Sequence, residues 1–325
     1  MSRSRGWADA SFHMYTPTSN LQGSPLSTPP TPQPISRTLF APRSRTVSTS
    51  ASVSGAGQIG FSGGAVTYEG TTIGTFAGGT SGSDPLVITF NASSTPTSAQ
   101  ALMRNITFEN VSDDPSTASR TVRYVLTDGD GGTSNAATQT VNFTAENDAS
   151  AITLPGAAVS YTENDAATVI DATATAADVD SADFDTGTLT IDFTANGTAN
   201  DRLAIRNQGT GAGQIGVSGS NVSYEGTTIG TFTGGTDGST PLVITFNANS
   251  TPTSAQALMR NITFENVSED PSAASRTVRF VLTDGDGGTS NAATQTVNFT
   301  AENDASAITL PGSAVAYTEN DAATV

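Results

Sequence analysis

The sequence predicts an all-β protein built from tandem antiparallel sandwiches, and three observations carry that prediction. Apolar and polar residues alternate at period two through most of the chain. Clusters of Gly, Asn and Asp interrupt these runs at short intervals, as turns between strands do. A long internal repeat then multiplies the pattern: residues 55–169 align with 211–325 without a gap, at an offset of 156, with 13 differences in 115 positions. Copies at so long a period are the mark of an array in which each unit repeats one fold.

Along the complete repeat the strand candidates come in order: AVSYTE, TLTIDF, NVSYEG, TTIGTF, PLVITF, NITFEN, TVRFVLT and TQTVNFTA. In TLTIDF, Leu189, Ile191 and Phe193 share one face; in TVRFVLT, Val278, Phe280 and Leu282 do so. Val297 and Phe299 pair in the same way in TQTVNFTA. One short helix is predicted within the repeat. Pro252 suits a first helical position, Thr251 or Thr253 can cap it, and SAQALMR follows.

Charge and proline divide the chain. Residues 1–50 hold five of the 13 basic side chains, a single acid (Asp9) and seven of the 15 prolines. That composition cannot bury enough apolar surface to offset ordering, so 1–50 is predicted to be disordered. Residues 51–325 are left with 8 basic and 29 acidic groups. The phase of the repeat gives a unit over 51–146 without its first third, a complete unit over 147–304, and the start of another over 305–325. This phase predicts a piece of a longer array.

The inventory excludes several functions. There is no cysteine for disulfides or thiolate zinc sites and no lysine for a P-loop or a Lys–Asn cross-link. A pI near 4.1 argues against a nucleic-acid surface. No apolar run is long enough for a signal peptide after Arg3 and Arg5, or for a membrane span. The repeats also carry no His or Cys to activate a nucleophile, and no pair of carboxylates stands out for acid–base work. No enzyme is predicted.

The acids gather in four short motifs: END (146–148, again at 302–304), TEND (162–165, again at 318–321), DVDSADFD (178–185) and DGDGG (128–132 and 284–288). Each has an ordinary reading. DGDGG between two strands is a turn, and the other three can be solvated loops that keep an array soluble. Together they offer what a hard cation needs, many closely spaced oxygen ligands, whose mutual repulsion a cation would relieve.

In the order and spacing of these motifs, residues 51–325 resemble the bacterial cadherin-like tandem repeats of large secreted or surface adhesins. Asn147 and Asp148 match the central Asn-Asp of that family's linker, Glu163 its glutamate at the end of the first strand, Asp178 and Asp180 its middle Asp-x-Asp, and Asp284 and Asp286 its late Asp-x-Asp. Asn303 and Asp304 repeat the linker pair. Ala145 and Ala149 replace two linker ligands, and no Asp-Arg-Glu is found, Asp201-Arg202 lying too early and lacking the acid. The resemblance implies Greek-key β-sandwich modules and Ca2+ at module junctions; the unit departs from it in being longer, with extra strands and the one short helix inserted around 205–266. It places Asp178, Asp180, Asp284 and Asp286 at the top of the complete unit facing Asn147 and Asp148. Glu163 is placed at the base, facing Asn303 and Asp304. Asp128 and Asp130 belong to a top site whose partners are absent.

The function expected is that of a calcium-binding structural repeat in an extracellular or cell-surface bacterial adhesin, where Ca2+ stiffens the array for cell adhesion. Its partners are neighbouring repeats and a cell-surface protein or glycan. The alternative is a carbohydrate- or protein-binding β-sandwich module without structural calcium, in which loops of the inserted region grip the ligand.

Overall fold

A computed structural model describes residues 11–15 and 55–306, together with 308, 309, 312 and 319. The chain divides into two compact units, Met1–Ala145 and Glu146–Val325. Both are all-β with one short helix each.

Unit 1 contains β1 (Ser11–Tyr15), β2 (Ile59–Ser62), β3 (Ala65–Tyr68), β4 (Thr71–Ala77), β5 (Leu86–Phe90), α1 (Pro96–Met103), β6 (Arg120–Leu126) and β7 (Ala137–Val141). They form one antiparallel sheet in the order β2-β3-β4-β5-β1-β6-β7. β1 arises inside the Pro-rich segment predicted to be disordered. Its alternation of Phe12 and Met14 with polar neighbours lets it join a sheet as a central strand. The rest of residues 1–50, to which that prediction also applies, lies outside the described residues, as does most of 305–325.

Unit 2 opens with β8 (Ala151–Thr153), β9 (Val159–Thr162), β10 (Thr168–Val169), β11 (Thr175–Ala177), β12 (Thr188–Ala195) and β13 (Asp201–Ile205). It continues with β14 (Ile215–Ser218), β15 (Asn221–Tyr224), β16 (Thr227–Thr233), β17 (Leu242–Phe246), α2 (Pro252–Met259), β18 (Ile262–Asn266), β19 (Arg276–Leu282) and β20 (Ala293–Thr300). Eight strands make the larger sheet, ordered β14-β15-β16-β17-β12-β19-β20-β9, with β9 parallel to β20. β10-β18-β13 form the facing sheet, and β8 pairs with β11. One core fills the space between. Leu189, Ile191, Val278, Phe280 and Leu282 from the larger sheet pack with Leu203, Ile262 and Phe264 from the smaller, each at most 3% exposed. A fully buried side chain of this size stabilises by about 1.5–3 kcal/mol.

Local chemistry explains the turns and the helix. β15 and β16 are joined by Glu225-Gly226, both at positive φ (51° and 82°), the two-residue geometry that matches strand twist. α2 begins at Pro252 under Thr251, whose hydroxyl accepts from the Ser254 amide while the Ser254 hydroxyl accepts from the Thr251 amide. Ala255, Leu258 and Met259 bury the other face.

The two units differ in burial despite their near-identity. NITFEN is β18 in unit 2, but residues 105–110 form no strand in unit 1. In unit 2, β18 is held on both sides by β13 and β10, which come from the third of the repeat that unit 1 lacks. Phe264 and Met259 are fully buried, whereas Phe108 and Met103 are each 38% exposed. Among the described residues no helix is long and apolar enough to cross a membrane.

Candidate metal centre

The candidate ligands of unit 2 fall at the two ends of its strands. β19 runs from the loop that carries Glu269 to the loop that carries Asp284, and β20 returns toward Asn303 and Asp304.

At the base, β9 and β20 run parallel and Glu163 follows directly, its amide donating to the Thr300 carbonyl at 2.8 Å. The TEND turn then closes on itself. Asp165 accepts from the Thr162 amide, Tyr161 donates its hydroxyl to the Asp165 carbonyl, and Asn164 takes a positive φ of 65°. Asp165 and Asn164 are thereby used as turn residues, and Glu163 is turned inward. Its carboxylate is 3% exposed; Oε2 accepts from the Glu302 amide at 2.8 Å, and buried Oε1 has no hydrogen-bond partner. Oxygens of Glu163, Glu269 and Asp304 lie within 4.8 Å of one another. Asn303 is exposed and donates its side-chain amide to the Asp304 carbonyl at 3.1 Å.

Glu269 was not among the sequence candidates. It lies on the loop between β18 and β19, and its neighbours in space come from the other two ends of the repeat. The available signal was the acid pair Glu269-Asp270 just ahead of a strong strand. The loop is fastened from below by Arg276, which is fully buried. Its guanidinium donates to the carbonyls of Ser272 and Ala274 and to Asp201 Oδ2 at 3.3 Å, and lies 4.4 Å from the Phe299 ring centroid. Asp201, also fully buried, accepts in addition from Thr198 and from Asn266 Nδ2 at 2.7 Å. The aspartate is fully matched in this way, whereas Arg276 Nη2 is buried without a hydrogen-bond partner.

At the top, the structure brings together five of the six predicted residues, Asp148 through its backbone amide. Asn147 Nδ2 donates to Asp284 Oδ2 at 3.0 Å, and the Asp148 amide donates to Asp180 Oδ2 at 2.9 Å. Asp178 accepts from the Ser150 hydroxyl at 2.7 Å and from the amides of Asp180 and Ser181. Burial pushes the Asp178 carboxyl up, but these hydrogen bonds outweigh it and hold its pKa below the ordinary aspartate value. Asp180 is raised. The Asp148 amide lowers it, but burial and the charge of Asp178 overcome that hydrogen bond, and its buried Oδ1 has no partner. Asp284 is fully buried and its Oδ1 accepts from the amides of Asp286, Gly287 and Gly288 at 2.9–3.1 Å. DGDGG is therefore a turn organised by its first aspartate, with Oδ2 turned to the linker. The sixth, Asp286, is exposed and joins the turn through its backbone. Asp128 organises the same turn in unit 1, accepting from the amides of Asp130 and Gly132.

The donor set at both ends is carboxylate, amide and carbonyl oxygen, which suits a hard cation such as Ca2+. The base fits best, since a buried carboxylate oxygen without a partner faces two more carboxylates. Without a cation, such a cluster pays repulsion and desolvation together.

No protein-family model and no curated protein matches the chain. Among solved structures, the crystal structure of collagen adhesin (CNA) from S. aureus matches at 10% identity, over 89% of this chain and 81% of that chain. The TM-score is 0.18, too low to carry fold or function across.

Proposed function

We propose that the complete repeat is a calcium-binding structural module of an extracellular bacterial adhesin. One observation carries the reading: Glu163 presents a buried, unpartnered carboxylate oxygen to the carboxylates of Glu269 and Asp304. Glu163, Glu269 and Asp304, with Asn303 beside them, would hold one cation. Asn147, Asp148, Asp178, Asp180, Asp284 and Asp286 would hold cation at the other end. Bound Ca2+ would supply positive charge that links loops which otherwise repel, stiffening each module end against the next repeat in an array. Millimolar Ca2+ is available outside the cell, and weak extracellular sites are matched to it. Absence of cysteine and a strongly acidic repeat support a bacterial surface location, with a cell-surface protein or glycan as the distal partner.

Calorimetric titration of the full chain with Ca2+, alongside thermal melting, tests the reading. The expected result is saturable binding with Kd of about 10⁻⁴–10⁻³ M and a raised melting temperature. Asp178→Ala with Asp180→Ala should remove one class of sites. No binding at several millimolar Ca2+ would overturn it.

A second reading, a carbohydrate- or protein-binding module, is favoured by one feature. A cavity of about 370 Å³ beside α2 gathers Arg206, Arg260, Gln208, Gln256, Asn261 and Tyr224. It unites two of the few cations of an acidic chain with amide groups and a ring. A glycan array with Arg206→Ala and Arg260→Ala controls separates the two readings.

A further inference from the structure

In unit 2 the middle of the larger sheet is β12. It pairs antiparallel with β17 through Thr188↔Thr245, Leu189↔Ile244, Thr190↔Val243 and Ile191↔Leu242. On its other edge it pairs with β19, from Leu189↔Leu282 through Phe193↔Val278 to Ala195↔Thr277. One repeat offset upstream of β12 the sequence reads PQPISRTL, with two prolines that a central strand cannot hold. Unit 1 therefore has the two walls of this slot, β5 and β6, without the strand that the repeat places between them.

β1 stands there instead, and in the same register. Ser11↔Thr89, Phe12↔Ile88, His13↔Val87 and Met14↔Leu86 repeat the β12–β17 pairs, and Phe12↔Leu126 repeats Leu189↔Leu282. Phe12 and Met14 occupy the register positions of Leu189 and Ile191, which are fully buried in unit 2. Ser11–Tyr15 (SFHMY) matches the aligned TLTID at none of its five positions. The slot thus selects an extended backbone and an apolar residue at every second position, not a particular sequence.

The fit is incomplete. β1 has five residues against eight in β12, and its register along β6 stops at Tyr15↔Arg123, short of the positions that match Val278 and Thr277. A longer strand would pair more of the wall, onward from Arg123 to Val122 and Thr121.

We propose that the slot between β5 and β6 is a strand-binding site whose preferred occupant is the TLTIDFTA strand of another copy of this repeat, with Ser11–Tyr15 as its resident substitute. Main-chain hydrogen bonds along two edges supply affinity, and the alternating apolar side chains fix the register. Binding exchanges one strand for another and forms no covalent bond. It is independent of any cation.

The test uses the full chain, a synthetic TLTIDFTA peptide, and a control peptide of equal composition with the alternation broken. Hydrogen exchange is read on fragments containing Asp84 or Tyr124, which distinguish unit 1 from unit 2. With Phe12→Pro and Met14→Pro together, exchange in β5 and β6 should accelerate at least about tenfold while unit 2 is unchanged. TLTIDFTA should then bind one to one and restore protection, and the control peptide should not. On the unaltered chain, millimolar TLTIDFTA should saturably accelerate exchange of residues 11–15, a readout that does not depend on the variant folding. Unchanged protection in the variant, equal binding of the control peptide, or no displacement of 11–15 would each overturn the proposal.

Discussion

Substituting Glu163→Gln should change stability in opposite directions with and without calcium. Glutamine keeps the oxygen that accepts from the Glu302 amide at 2.8 Å. Its new amide group can donate toward Glu269 and Asp304, whose oxygens lie within 4.8 Å of the Glu163 carboxylate. Each like-charge pair at that distance is worth about 1 kcal/mol in water and about 3 kcal/mol at an effective dielectric near 20. Glu269 and Asp304 are exposed, so the lower figure applies, and the calcium-free variant should gain roughly 1–2 kcal/mol. For the unaltered chain, 10 mM Ca2+ at a site with Kd between about 10⁻⁴ and 10⁻³ M adds roughly 1.4–2.7 kcal/mol. The variant should lose that increment at the base while keeping the contribution of the top site. Melting in chelator and in 10 mM Ca2+, with bound calcium counted by calorimetry, reads both effects. A variant less stable than the parent in chelator, or one with the full calcium increment, would refute the reasoning.

Removing the buried partner with Asp201→Ala should cost about 3–5 kcal/mol, because Arg276 is left charged and fully enclosed. Arg120→Ala, at the same repeat position in half-buried surroundings, should cost about 1 kcal/mol; denaturant unfolding followed by hydrogen exchange at 201–205 and 120–126 checks both. Gly288→Ala should weaken calcium binding at the top site without affecting Glu163, since its Cβ would lie 2.0 Å from Asp284 Oδ2 and 2.8 Å from Ala149 Cα; calorimetry on the variant should show one class of sites lost. Asp237 should titrate at about 2 by carboxyl NMR, because hydrogen bonds from the Ser239 side chain and backbone, and from Thr240, hold its ionised form. Its folded pKa lies below the ordinary value of 3.8, so its contribution is present above that value and is lost as pH falls through about 2; a midpoint near 3.8 would contradict the hydrogen-bonded loop.

What the sequence could and could not disclose is clearest where its two copies disagree. TLTIDF, TVRFVLT and TQTVNFTA are legible because alternation is a local property and their inward residues meet a core in unit 2. The helix is legible for the same reason, since Pro252, Thr251 and the apolar spacing act within one turn. NITFEN has the same letters in both units but is a strand only where β10 and β13 flank it, so its state is set by partners far away in the chain. β1 was hidden by composition: prolines and arginines dominate its surroundings, while five residues of suitable alternation suffice once two strand edges need a partner.

The candidate site divides along the same line. Asn147, Asp148, Asp178, Asp180 and Asp284 meet through turns whose residue types announce them, and the linker folds back onto both loops. Glu269 could not be found by spacing, because its place beside Glu163 depends on how Arg276 clasps the loop behind it. That clasp needs Asp201, which β13 brings from the opposite side of α2. No contiguous Asp-Arg-Glu occurs, and Asp201 and Arg276, from separate segments, hold the loop that carries Glu269. Unit 1 supplies the contrast: Arg120 binds the same backbone carbonyls and lies 4.6 Å from the Phe143 ring, but the segment that would carry an Asp201 counterpart is missing from its repeat. Near-identical sequence therefore does not give the two units equal bases. The opening third of the repeat delivers Glu163, the buried aspartate and two flanking strands together, and among the described residues the Glu163–Glu269–Asp304 cluster stands only in unit 2.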